Sequence, residues 1–204
     1  ETCKSGKGQV IDAAMVDGAA QLMWMFHGME AGGMWDATER EANMLDGAAH
    51  FYDTYECADG KYISLGSIEP QFYALLKDIA GLSEEDFGNQ HDRSQWPLMK
   101  EKLAAVMLQK TQAEWCELME GTDVCFAPVL NFVEAASHPA NVARETYVDV
   151  GGVTQPAPAP RFSRTPSRVA HATHDAGEDT NEVLIAMGLA QGEIDQLREA
   201  GSIS

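Results

Sequence analysis

Positive charge is scarce in this sequence: 14 lysines and arginines stand against 32 aspartates and glutamates, a formal charge of −18. Nucleic acids and anionic membrane surfaces are held by cations that neutralise their phosphates, so this balance excludes them as partners. Long apolar runs are missing too. None approaches the roughly 20 residues that a membrane-crossing helix requires, and the first residues carry no signal-peptide pattern. Cysteines are few and scattered, at Cys3, Cys57, Cys116 and Cys125, with no CxxC and no zinc-type spacing. That scatter excludes a disulfide framework and points to free thiols in a reducing, cytoplasmic setting. The P-loop, GxGxxG, GxSxG and HExxH motifs are all absent, as is any internal repeat, so no motif of that kind names a chemistry.

What is present suffices for a packed core. Apolar residues make up 45% of 204 positions, which argues against global disorder and allows one ordinary domain or one and a half small ones. The chain opens at Glu1 without an initiator Met and runs at once into helix-like sequence. It reads as a segment of a longer polypeptide.

Apolar residues at Val10, Ala13, Ala14, Val16, Ala20, Met23 and Phe26 predict one helix over 9–29, with Gly6 and Gly8 turning before it and Gly28, Gly32 and Gly33 ending it. The charged stretch from Asp36 to Asn43 is expected at the surface. Two aromatic and β-branched runs, 51–57 and 61–65, flank Asp59-Gly60 and predict a hairpin. Phe72, Leu75, Leu76 and Ile79 predict a helix over 71–80 with Pro70 at its first position. Further helices are expected over 94–109, from a Thr111/Glu114 capping box to Gly121, over 133–144, and over 180–200 with a break at Gly188. A short strand is expected within 124–130, and the Pro- and Gly-rich 148–167 predicts an extended connection. The fold class is α/β.

Glu69 is the residue with most chemical interest. A carboxylate where a strand hands over to a helix can act as a general base or orient a histidine; equally, it can cap the helix and complement its dipole. Met15, Met23, Met25, Met29, Met34 and Met44 crowd the first 44 residues. Methionine is flexible and polarisable and suits an apolar ligand of variable shape, or ordinary helix packing. His171 and His174 stand three apart among loop-forming residues, and two histidines do not make a metal site; His50 and His138 are no stronger. Arg161, Arg164 and Arg168 form a small cationic stretch suited to an anion or to nearby acids.

Several ordered motifs carry a resemblance. They are Gly6–Ala13, Asn43-Met44-Leu45-Asp46-Gly47, Phe51-Tyr52-Asp53-Thr54-Tyr55, Ala58-Asp59-Gly60 and, most specific, Gly66-Ser67-Ile68-Glu69-Pro70-Gln71-Phe72-Tyr73. Lys110-Thr111 with Glu114-Trp115, Asp123 with Cys125 and Ala127-Pro128-Val129, and the ending from Asn181 to Leu197 continue it. Together they resemble the family III CoA-transferase superfamily and, within it, the α-methylacyl-CoA racemase branch.

The resemblance implies a small α/β domain plus a tail returning to a large Rossmann-like domain. The expected layout is 1–45 as large-domain helix and linker, 46–147 as the small domain, and 148–204 as the returning segment. It implies an interlocked homodimer and an acyl-CoA thioester substrate, with coenzyme A part of the substrate and no separate cofactor or metal. It also implies proton removal and return at the α-carbon of a 2-methylacyl group, a task of fatty acid metabolism. Of the family's catalytic groups only the assisting glutamate is carried over, to Glu69; the His/Asp acid–base pair and most phosphate contacts belong upstream. The isolated chain is therefore expected to be inactive, and the missing half accounts for the scarcity of cations. The methionines Met23, Met25, Met29, Met34 and Met44 are the expected acyl surface. One departure is Gly47-Ala48-Ala49-His50, where racemases tend to have Gly-Gly-Ala-Pro. Alternatives are a CoA-transferase working through an aspartyl thioester and a non-catalytic binding or dimerisation module.

Overall fold

In the computed structural model, which describes residues 2–203, exposed and buried side chains alternate along both predicted hairpin arms, giving β1 (Tyr52–Glu56) and β2 (Tyr62–Gly66). The pair is antiparallel, with Tyr52 opposite Gly66 and Glu56 opposite Tyr62. Gly60 takes φ +74° in the turn, a conformation that a Cβ would strain. The chain divides into two compact units, one reaching Val129 and one starting at Leu130.

The first unit opens with α1 (Thr2–Ser5), α2 (Met15–Leu22) and α3 (Trp24–Ala31). The single helix expected over 9–29 is therefore two short ones. Met23, at φ −88° and ψ 0°, closes α2 and turns the chain into α3. Residues 7–14 are not helical at all, and Val10 and Ile11 stand 97% and 76% exposed. Neither α2 nor α3 buries a residue. Short helices depend on burying an apolar face, and without that support the periodic pattern does not propagate.

After the hairpin, α4 (Pro70–Ala80) begins with Pro70 in its first turn and ends on Gly81 in the left-handed region. Then come α5 (Glu84–Phe87), capped by Ser83, and α6 (Trp96–Met107). The predicted capping box is real: Thr111 accepts from Glu114 N, and the Glu114 carboxylate accepts from Thr111 N at 2.8 Å, opening α7 (Gln112–Met119). β3 (Phe126–Val129) joins β2 antiparallel, giving the order β1-β2-β3. Helices cover one sheet face with a core of Phe51, Tyr55, Ile63, Leu65, Tyr73, Leu76, Leu103, Met107 and Trp115.

The second unit holds α8 (Phe132–Ser137), α9 (Pro139–Ala143), a hairpin of β4 (Tyr147–Val150) and β5 (Val153–Pro156), α10 (Thr180–Ala186) and α11 (Gln191–Glu199). Two expectations need correction. The helix over 133–144 is split, because His138 precedes a proline and is held extended at ψ 133°. The stretch expected as an extended connection contains a hairpin, folded at Gly151 and Gly152, both at positive φ. The break at Gly188 stands between α10 and α11 as expected.

Candidate active site

β2 ends at Gly66 and α4 begins at Pro70, so residues 66–69 form the predicted strand-to-helix corner. It is held firmly. Gly66 N donates to Cys125 O at 2.8 Å and Ser67 N to Phe51 O at 3.0 Å. The Ser67 hydroxyl, fully buried, donates to Val124 O at 2.5 Å. Gln90 closes the other side, its amide reaching Ser67 O and Ile68 O.

Glu69 occupies the N-cap position of α4, but only its main chain behaves as a cap. Its carbonyl accepts from Phe72 N and Tyr73 N, both at 3.0 Å, whereas its side chain makes no cap hydrogen bond. The capping reading therefore fails for the carboxylate. It is exposed beside the positive end of a helix and is not engaged as a cap.

Beside the corner lies a cleft of about 680 Å³ on the sheet face away from the core. Its floor follows from strand register: Thr54 pairs Ser64, and Ser64 pairs Ala127. Tyr52, Gly66 and Cys125 line the next part of it, and Leu45, Asp46 and Gly47 supply the rim. Glu69 is not a lining residue, but it stands close to the Cys125 wall. Burial, then the Glu69 charge, then Asp123 push the Cys125 thiol above its usual range.

The rim is part of the stretch 36–50. Asn43, expected at the surface, is instead 1% exposed and ties this stretch together: its side chain accepts from Asp36 N at 2.7 Å and donates to Asp36 O and to Asp46. Lys100 pairs with Asp53 and donates to Gly47 O at 2.6 Å, fastening the rim to both β1 and α6. It places a cation next to the cleft.

Behind the corner lies a buried polar chain. Tyr55 OH donates to His50 O at 2.5 Å, His50 Nε2 meets Tyr73 OH at 2.7 Å, and Tyr73 OH donates to Phe87 O at 3.0 Å. Since the Tyr73 proton goes to Phe87 O, His50 Nε2 carries the hydrogen, a tautomer assigned from the network. Burial, aided by His91, pushes His50 down to about 4, so it is neutral near pH 7. His50 is thus a core residue rather than a cleft residue.

The structure does not bring the predicted acyl-surface methionines to this cleft: Met23, Met25, Met29, Met34 and Met44 are all absent from its lining. Met44 packs on the core instead, while Met23, Met25 and Met34 stand 47%, 43% and 61% exposed. Sequence reasoning missed Tyr52, Ser64, Cys125, Lys100 and Gln90. Outward hairpin positions gave a usable signal for the first two; distant pairings place the others. Among the described residues no cluster of His, Cys, Asp and Glu could hold a metal ion, and no helix is long and apolar enough to cross a membrane. His171 and His174 stack at 4.4 Å, and His174 pairs with Asp179 at 2.7 Å.

A family model described as CoA-transferase family III matches residues 1–180. The chain belongs to that family. Among family III relatives, the α-methylacyl-CoA racemase of Mus musculus is 46% identical over 200 residues, covering 97% of this chain and 52% of the mouse protein. The Homo sapiens protein of the same name is 43% identical over 201 residues, covering 95% of this chain and 51% of its own length. The chain thus spans about half the length of the curated relatives it matches. A CAIB/BAIF family protein from Brucella suis superposes with a TM-score of 0.66 at 19% identity, covering 91% of this chain and 50% of that one. A hypothetical protein from Mycobacterium tuberculosis gives 0.63 at 20% identity, covering 89% and 48%. At such identity these two support the family III fold and nothing finer.

Proposed function

We propose that this chain is the Glu69-bearing portion of an α-methylacyl-CoA racemase, which inverts the α-carbon of a 2-methylacyl-CoA thioester. The observation that carries the reading is the Glu69 carboxylate, set at a rigid corner beside an open cleft and not consumed by capping. In the reaction a base takes the α-proton, the electron pair moves onto the thioester oxygen as an enolate, and a proton returns from the opposite face. Nothing is oxidised or reduced, so coenzyme A within the substrate is the only cofactor chemistry needed. Glu69 assists, by orienting or tuning the acid–base pair that the family resemblance places outside these residues.

The same reading carries its finer expectations: a homodimer, a cytoplasmic location, a place in branched fatty acid metabolism, and no nucleic acid partner. The charge of −18 supports the last.

The test joins this chain to the part of the mouse racemase that it does not span and follows α-deuterium uptake by a 2-methylacyl-CoA in heavy water. The fusion is expected to exchange and racemise, the Glu69→Gln fusion to lose most of that rate, and the isolated chain to do neither. A folded fusion without exchange sinks the reading. The match to CoA-transferase family III favours a second reading, transfer of CoA between carboxylates through an aspartyl thioester. Thioester exchange between an acyl-CoA and a free acid, without α-exchange, would establish that one instead. A fusion with neither activity leaves a binding or dimerisation module.

A further inference from the structure

Two consecutive carbonyls, those of Ser67 and Ile68, immediately precede Glu69, and one side-chain amide holds both. Gln90 Nε2 donates to Ser67 O at 2.9 Å and to Ile68 O at 2.9 Å, so both of its protons are engaged. The Gln90 main chain is itself fixed: its backbone carbonyl accepts the Trp96 indole N–H at 2.8 Å, and both residues are buried. Phe51 and Val124 hold Ser67 from other parts of the chain. The main chain leading into Glu69 is thereby pinned from three directions, while the Glu69 side chain has no cap bond to locate it. Its position is set from behind.

We infer that Gln90 is a positioning residue, which fixes where the Glu69 carboxylate stands by clamping the two carbonyls before it. This rests on reading Glu69 as the assisting carboxylate. A merely structural role would leave Gln90 filling space and satisfying two buried acceptors. Gln90→Met separates the two, since methionine is close in size and has no N–H.

The first measurement uses this chain alone and does not depend on the racemase reading. With Cys3→Ser and Cys116→Ser in place and Cys57 buried, the pH dependence of thiol alkylation reports Cys125, whose thiol feels the Glu69 charge. Glu69→Gln is expected to lower its midpoint, because it removes a negative charge that raises the thiol pKa. Gln90→Met is expected to move the midpoint as well, and to have no effect when Glu69→Gln is already present. An unmoved midpoint, or the same shift in both backgrounds, overturns the inference.

The second measurement uses the fusion with the mouse racemase segment. Gln90→Met is expected to lower kcat on the order of tenfold, with KM changed less than about threefold, because misplacing a reacting group costs rate more than binding. The loss should vanish in the Glu69→Gln background, as expected of groups acting as a unit. Ser67→Ala, which frees the corner from Val124 O, should act in the same direction and serves if Gln90→Met unfolds. A Glu69→Gln loss without a Gln90→Met loss overturns the positioning role and spares the reading; an unaffected Glu69→Gln fusion overturns the reading itself.

Discussion

Asn43 and Asp46 clasp each other through two hydrogen bonds of 2.7 Å, main-chain N to Oδ1 and side-chain Nδ2 to Oδ2. The same asparagine exchanges hydrogen bonds with both main-chain groups of Asp36. One buried amide thus shapes the loop that rims the cleft. Asn43→Ala is expected to destabilise the protein by about 2 kcal/mol, since it removes several buried hydrogen bonds and orphans their partners. Chemical denaturation measures this. A midpoint equal to the parent's would mean the clasp contributes nothing.

His50 gives a pH dependence with a definite sign. In the unfolded chain it titrates near its ordinary value of 6.5, but folded it resists protonation down to about 4. Between those values the unfolded state binds more protons, so stability is at full strength above pH 6.5 and falls as pH drops towards 4. The full fall attributable to this one group is about 3 kcal/mol. His50→Gln, which keeps an N–H for Tyr73 and cannot ionise, should flatten this stretch of the stability curve. Denaturant titrations at pH 7 and pH 5 decide it; a parallel fall in the variant would assign the effect to other groups.

The difference between what was legible and what was not follows the range of each interaction. Local chemistry read true: Pro70 in the first turn, the Thr111/Glu114 box, the Asp59-Gly60 turn and the Gly188 break each depend on neighbours a few residues away. The corner that presents Glu69 was legible for that reason. Its fastening was not, because Gln90 and Val124 lie 23 and 57 residues from Ser67. Asn43 was misread because charged neighbours suggest exposure, while its own burial is set by a loop folding back on itself. The helix over 9–29 failed for a different reason: its apolar period is real, but with no residue of α2 or α3 buried the period has nothing to pack against.

That exposed apolar surface carries its own expectation. Met15 and Leu22, seven apart on one face of α2, are 90% and 80% exposed, and Trp24 at the start of α3 is 70% exposed. Contiguous apolar surface of this kind drives association in water. The isolated chain is expected to self-associate with rising concentration in sedimentation velocity, and more strongly at high salt, which screens the mutual repulsion of −18. Met15→Glu combined with Leu22→Glu should return it to the monomer. Association unchanged in that variant would place the contact elsewhere.

Gly66 offers a way to close the cleft without disturbing the fold. It sits at the end of β2 with an ordinary backbone conformation, and an added Cβ would meet Cys125 O and a Tyr52 ring carbon at 3.7 Å, normal contact distances. A larger side chain there has room to begin and then enters the space between Tyr52 and Cys125. Gly66→Leu should therefore change stability by less than about 1 kcal/mol, as a strand glycine replaced without strain. In the fusion with the mouse racemase segment, the same change should depress kcat/KM for a 2-methylacyl-CoA on the order of a hundredfold, because the leucine occupies volume needed next to Glu69. Measuring both quantities on one preparation separates the cases. If the fold holds and turnover is untouched, the substrate does not use this cleft, and the reacting carbon has to be sought on another side of Glu69.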